Sequence, residues 1–267
     1  MTCSANPVAL SALTEARPEP LPLKVITLNA HKGFTFFNRR FILHELRAAV
    51  REVGADLVFL QEVLGSHTRH SARHAGWPDN PQYEFLADTI WPQFAYGCNA
   101  VYPHGDHGNA VLSKFSILRY ENRDVSIGPP EKRGLLHCVM QLPGRTDNLH
   151  VICAHLGLRE SHRQRQLQLM CHMIEEAVPA DAPLVVAGDF NDWRERAHDV
   201  LSERVGMVDV FADRDSRAPR TFPARCPILR LDRIYTRNVQ VDSARALTGR
   251  PWSHLSDHAP LVAGLTL

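Results

Sequence analysis

Four short apolar runs constrain the fold of this chain, because each breaks off on a side chain able to bind a cation or a phosphate. VITL runs into Asn29, LVFLQ into Glu62, VICA into His155 and VVAG into Asp189. Runs of this length read as buried strands, and α/β proteins gather their sites at the carboxyl ends of such strands. A fifth group, Asp257 and His258 in HLSDHAPL, stands just before the last apolar run, and Asp232 lies inside LDRIY. One aspartate after a strand is usually a turn residue or a helix cap. Five coincident cases point to a shared site.

The segments between these runs suggest how the strands are joined. LKVITLNA, the helical spacing of FNRRFILHELRAAVREVG ended by Gly54, and ADLVFLQEV read as strand, helix, strand, hence parallel neighbours with a crossover helix. From about 95 to 155, GNAVLSKFSI, GLLHCVMQL and NLHVICAHL succeed one another across the turn signals GPPEKRG and PGRTDN, which predicts antiparallel pairing. The polar helix SHRQRQLQLMCHMIEEAV, the strand PLVVAG, and the runs LDRIYT, VQVDSARAL and APLVAGLTL complete a mixed α/β pattern without internal repeat. The expected organisation is a loose N-terminal extension over 1–22 and a single domain over 23–267. Segment 63–98 lacks periodicity and reads as a surface insertion. In GDFNDW, Gly188 is expected to give a tight turn that aims Asp189 and Asn191 at one point, with Asp192 capping the next helix.

Composition narrows the class. A chain of 267 residues with 44% hydrophobic content can bury a sizeable core, and a net charge of +1 argues against a broad basic surface. The six cysteines are scattered, so neither a zinc site nor a disulfide framework is indicated. The sequence opens without a basic start and continuous apolar run, and no segment approaches the ~20 apolar residues that span a bilayer. A cytoplasmic protein without a transmembrane segment is expected.

TLNAHKG, LQEV, GNAVLS, AHLGL, GDFND, LDRIY and SDHAP stand in the order found in the endonuclease/exonuclease/phosphatase superfamily of DNase I-like phosphoesterases, and the chain resembles that superfamily over 23–267. Within it the chain is similar to an uncharacterised group of bacterial proteins, through HKGFTFFNRRF, YEFLADT and GLRESHRQ. The resemblance implies an α/β fold, a four-layer α/β/β/α sandwich of two mixed β-sheets. It also implies a divalent-metal-dependent phosphoesterase that hydrolyses a phosphodiester, in DNA, RNA or another phosphate ester, by attack of water. The residues agree in one respect: the clustered donors are oxygen-rich and include no cysteine, which suits Mg²⁺ or Mn²⁺ better than zinc.

Roles follow from the same resemblance. Glu62 is the first metal ligand, with Asn29 and Asp257 beside it; His258 is general base or transition-state stabiliser, paired with Asp232. Asp189 and Asn191 hold the attacking water and a phosphate oxygen, His155 donates to another, and Asn109 lines the cleft. Arg133 is either a planar clamp on phosphate or a solvated turn residue. His31, placed with the substrate-binding residues, occupies the position where DNA-repair relatives carry an aspartate ligand, which argues against an abasic-site endonuclease.

Other features stay outside this reading. His67, His70 and His74 are expected to be surface histidines rather than a zinc site, and the arginines of RESHRQRQ and RDSRAPRTFPAR either flank the substrate or are solvated. Two alternatives stand beside the leading function. One is a phosphatase or phospholipase-type hydrolase on a small-molecule or lipid phosphate, with peripheral lipid contact through FTFFNRRFILHELRAAV; the other is a catalytically inactive binding module.

Overall fold

Along PLKVITLN, successive apolar residues enter different cores: Leu23 and Val25 face one, Ile26 and Leu28 another. A strand buried on both faces requires a sheet covered on both faces. The computed structural model describes residues 19–36, 40–129, 131–212 and 218–267, and contains two such sheets packed face to face.

In chain order the first elements are β1 (Pro22–Asn29), a single 3-10 turn (His31–Gly33), α1 (Leu43–Val53), β2 (Leu57–His67), α2 (Thr68–Ser71), α3 (Gln82–Ala87), β3 (Gln93–Tyr102) and β4 (Gly105–Ser113). There follow β5 (Ser116–Asp124), β6 (Gly134–Gln141), β7 (Asn148–His155), α4 (Glu160–Ala177), β8 (Leu184–Asp189), α5 (Ala197–Val205) and β9 (Val208–Asp209). The chain closes with β10 (Asp232–Arg237), β11 (Gln240–Ala246), α6 (Trp252–Leu255) and β12 (Leu261–Thr266).

One sheet has the order β11-β12-β1-β2-β4-β3 and the other β5-β6-β7-β8-β10-β9. Each is centred on one parallel pair, β1 with β2 and β7 with β8, flanked by antiparallel partners. Helices α1 and α4 make the two parallel crossovers, the first as the strand, helix, strand reading predicted. Between the sheets lie Val25, Phe59, Val111, Met140, Val151, Val185 and Ile234. The outer face of the first sheet packs under Leu43, Leu46, Val50, Leu86 and Trp252; that of the second packs under Leu167, Met170, Ile174 and Leu201. Four layers, α/β/β/α, result.

Three expectations need correction. GNAVLSKFSI is not one strand: the chain leaves the first sheet at Ser113 and enters the second at Ser116, and Lys114 is tied at the crossing by its ammonium to Asp56 at 2.9 Å. Segment 63–98 is in large part regular. Strand β2 runs through to His67, and α3 seats Leu86 and Ala87 in the core beside Trp91, whose indole N–H donates to Ala55 O at 3.0 Å. Of the helix expected over 37–53, residues 37–39 lie outside the described residues, and the described helix starts at Leu43. Of the proposed extension, 1–18 lie outside the described residues, while Pro22 already pairs with Thr266. No described helix is long and apolar enough to cross a membrane.

Candidate active site

Because both parallel pairs point their carboxyl ends the same way, strand register alone assembles most of the site. Asn29 pairs with Gln61 across β1 and β2, and His155 pairs with Asp189 across β7 and β8; Asp232, opening β10, pairs with Asp189 from the other side. Gly188 is required for a different reason than a turn: it lies inside β8, where a Cβ would sit 1.9 Å from Ala154 O. The turn comes later, at Asn191, with φ of +50°. Asp192 accepts from Ala197 N at 2.8 Å, so it does satisfy the first amide of α5, from outside the cap position itself.

Asp189 is the hub. Its Oδ1 accepts from Asn191 N at 2.9 Å and its Oδ2 from Asn29 Nδ2 at 3.2 Å, a bond that crosses from one sheet to the other. His155 Nε2 and His258 Nε2 stand 3.6 and 3.8 Å from the same Oδ2. The Nδ1 of His258 is 2.9 Å from Asp232 Oδ2, which fixes the ring with Nε2 turned to Asp189. Burial raises the Asp189 carboxyl, with the like charge of Asp232 adding to it. Burial opposes a charge on His258, but Asp232, Asp189 and Asp257 outweigh it and raise the imidazole above its ordinary value. His155 goes the opposite way: burial first, then the charge of Arg133, hold it well below the usual range.

The SDHAP loop is held in place by groups on three neighbours. Ser256 Oγ donates to Asn29 O at 2.6 Å and accepts from His258 N at 3.2 Å; Ala224 N donates to Asp257 O at 2.7 Å. The Phe222 ring lies 5.0 Å from that of His258. Asp257 Oδ2 meets His31 Nδ1 at 3.2 Å, and His31 N donates to Asn29 Oδ1 at 3.0 Å. Burial opposes the ionisation of Asp257, but the His31 hydrogen bond and the His258 charge bring its carboxyl below the ordinary value.

Glu62 enters by a break in β2. Its φ is +53°, and the pairing of β2 with β4 shifts register between Leu60 and Val63, so the carboxylate leaves the strand's alternation. Its partner is Lys32 Nζ at 3.2 Å, a contact that sequence reasoning missed. Burial works to raise the Glu62 carboxyl, yet His155, Lys32 and His31 together hold it down at about 2.

The remaining expected residues have structural duties. Asn109 is fully buried; its Nδ2 donates to Gly134 O at 2.9 Å and Cys153 O at 3.3 Å, stapling β4 to the second sheet, and its Oδ1 has no partner. Arg133 Nε donates to Leu156 O at 3.0 Å, the carbonyl that also accepts from Asn191 Nδ2 at 2.9 Å. Arg163 of the RESHRQRQ run is neither a substrate flank nor solvated: it is buried and donates to Gly157 O and Leu158 O, fixing the loop after His155. His67, His70 and His74 are half-buried in a ring stack with Phe34, Phe41 and Trp77. The five described cysteines are free thiols.

Comparison with known proteins identifies the family and the fold. The sequence model of the Endonuclease/Exonuclease/phosphatase family matches residues 26–258. The chain is 55% identical over 244 residues to the Uncharacterized protein YbhP of Escherichia coli (strain K12), covering 91% of this chain and 96% of that one. Among solved structures, the endonuclease/exonuclease/phosphatase from Bacteroides vulgatus superposes with a TM-score of 0.72 at 18% identity, over 92% of this chain and 98% of the other. D. rerio TDP2 complexed with single strand DNA product superposes with a TM-score of 0.66 at 21% identity, over 91% and 98%. The sandwich, its motif order and the family match over most of the chain lead to one conclusion: this protein belongs to the endonuclease/exonuclease/phosphatase family.

Proposed function

We propose that the protein is a divalent-metal-dependent phosphoesterase that hydrolyses a phosphodiester by direct attack of water. One observation carries the reading: His258, braced by Asp232 at 2.9 Å, and the buried Asp189 carboxyl face each other across 3.8 Å at the strand ends. Two titratable groups whose surroundings raise one carboxyl and keep one imidazole charged form an acid and base pair. Asp189 accepts the proton of the attacking water, and Asn191, anchored through its backbone to the same carboxylate, orients the phosphate. His258 donates from Nε2 to a phosphoryl oxygen, and His155 adds a second donor. The complex of the structurally similar TDP2 with a single strand DNA product supports a phosphodiester as substrate.

The donor set fits a hard cation. Glu62 is anionic, Asn29 and Asp257 add oxygen donors, and the thiol of Cys153 is turned to Leu60 O in the interior. Glu62, Asn29 and Asp257 would hold Mg²⁺ or Mn²⁺, which supplies charge neutralisation at the phosphoryl oxygens when bound. Among the described residues, Asp189, Asp232 and His258 also bring ligand-type atoms within 4.8 Å of one another. The His258 to Asp232 bond fixes the imidazole against a buried carboxyl that is raised, so these groups suit proton handling better.

The test is a substrate panel with Mg²⁺ or Mn²⁺: plasmid DNA, single-stranded RNA, a chromogenic phosphodiester, inositol phosphates and phospholipids. Metal-dependent cleavage of a phosphodiester, abolished by chelator, is expected. Turnover that ignores chelation, or none on any phosphate ester, overturns the reading.

A further inference from the structure

The loops after β8 and before β10 border a groove of about 820 Å³, lined by Trp193, Glu195, Arg220, Ile228, Arg230 and Thr248. That volume lies within the ~300–1,000 Å³ usual for ligand sites. Both loops help build the site. Trp193 follows Asn191 by two residues. The loop before β10 uses Thr221 Oγ1 to accept the amides of Leu231 and Asp232 at 3.2 and 3.3 Å, and lays Phe222 on His258.

The lining is unusual for a solvated surface. Trp193 is 49% exposed and Ile228 58% exposed, large apolar groups left open in the same groove. The Arg194 guanidinium stacks on the Trp193 ring at 4.5 Å. Arg230 is shared between Asp209 and Glu195, one cation against two carboxylates, whereas Arg220 makes no ion pair among the described residues. The groove therefore offers an aromatic ring, an aliphatic side chain and, in Arg220, a cation without an ion pair among the described residues, beside groups suited to phosphate chemistry.

We infer that this groove is a subsite for a nucleotide next to the scissile phosphate, with the base held between Trp193 and Ile228 and the flanking phosphate paired with Arg220. The inference rests on the phosphodiesterase reading above and names its substrate class as single-stranded nucleic acid. A stacked base needs an aromatic plane and a neighbouring cation within a cleft. A lipid surface instead calls for an apolar face projecting from the protein, and here the apolar groups line a concave wall.

Binding read without turnover separates this inference from the hydrolase reading. A 5′-labelled octathymidylate and an abasic phosphodiester oligomer of equal charge are titrated in EDTA against the wild type, Trp193→Phe, Trp193→Leu and Arg220→Ala, by fluorescence anisotropy. The wild type is expected to prefer the base-bearing oligomer. Trp193→Phe should keep that preference, Trp193→Leu should lose about 5- to 150-fold in affinity for it, the range of one stacked base, and bind the abasic oligomer unchanged. Arg220→Ala should weaken both oligomers alike. Equal binding of octathymidylate by wild type and Trp193→Leu, or no base preference in the wild type, overturns the subsite while leaving metal-dependent hydrolysis untouched. Tight binding to phosphatidylglycerol vesicles that Trp193→Leu preserves, without oligonucleotide binding, replaces it with a membrane surface.

Discussion

The two parallel strand pairs have the same topology and the same antiparallel flanks, yet they deliver their side chains differently. At the ends of β7 and β8, His155 and Asp189 continue the strand alternation, sit directly opposite each other and are buried. At the ends of β1 and β2, the chain departs from regular geometry at three residues: His31, Lys32 and Glu62 have φ of +43°, +56° and +53°. Positive φ in non-glycine residues costs of order 1–3 kcal/mol each, and persists only where the surroundings enforce it. The Glu62 side chain stays 21% exposed beside a lysine that is itself partly exposed. The ends of β7 and β8 are thus a dry setting that can shift protonation equilibria, with positive φ entering beyond the strand at Asn191; the ends of β1 and β2 are a more open setting with positive φ at the ligand position itself. Of the proposed metal ligands, Glu62 is the one with positive φ.

The largest test addresses the buried acid and base pair, where the loop before β12 brings His258 against Asp189. Replacing His258 with Ala should slow turnover by roughly 10²- to 10⁴-fold, the scale of a positioned acid or base, with the metal concentration needed for half activity unchanged. A shift in metal requirement of similar size would merge the two halves into one.

The pH profile sharpens the same point. His258 must be charged to donate, so activity is present below its raised value and lost as pH rises through it. Asp189 must be ionised to accept, so activity is lost as pH falls through its value, which burial places above that of an ordinary aspartate. In Asp232→Asn the strongest group favouring the imidazolium is gone. The alkaline limb of kcat/KM should then move acidward by roughly one to three pH units. A limb that stays in place would break the assignment of that limb to His258.

How much of this was legible in the sequence differs between the halves in the same way. Where side chains continue a strand, as His155 and Asp189 do, an apolar run followed by a polar residue is sufficient, whereas the two-sheet layering is implied only by the family resemblance. Glu62 was legible as a residue but its bulge was not, because register shifts depend on β4, whose own pattern reads straight through Lys114 into β5. A two-residue crossing between sheets leaves no mark when both strands carry the same alternation. Lys32 and the bond from Asn29 to Asp189 join residues far from any motif pairing, and Arg163 looked solvated because the carbonyls it holds belong to a loop. The histidines of 63–98 gave no signal of the ring stack, since their partners Phe34 and Phe41 precede them by a whole helix and strand.

The open half yields two smaller effects. Glu62→Gln keeps the shape of the side chain and removes its charge, so half-activation by Mg²⁺ should require at least about tenfold more metal, a scale seen even for groups that only support a ligand, with partial recovery in Mn²⁺. Unchanged metal dependence would remove Glu62 from the proposed ligand set.

Lys32 gives the finest probe of the contrast, because its ammonium and a divalent cation cannot both claim the same face of Glu62. The pair is 3.2 Å long, with the lysine 35% exposed. A partly exposed ion pair of this kind is worth about 0–1 kcal/mol, so a cation displacing it gives up at most about a fivefold factor in affinity. Lys32→Met, which keeps the aliphatic stem and removes the competitor, should lower the Mg²⁺ concentration for half activity by up to that factor. The direction matters more than the size. Weaker metal binding in Lys32→Met would mean that the lysine supports the ligand geometry instead of competing with the cation, and the open half would then be as preorganised as the dry one.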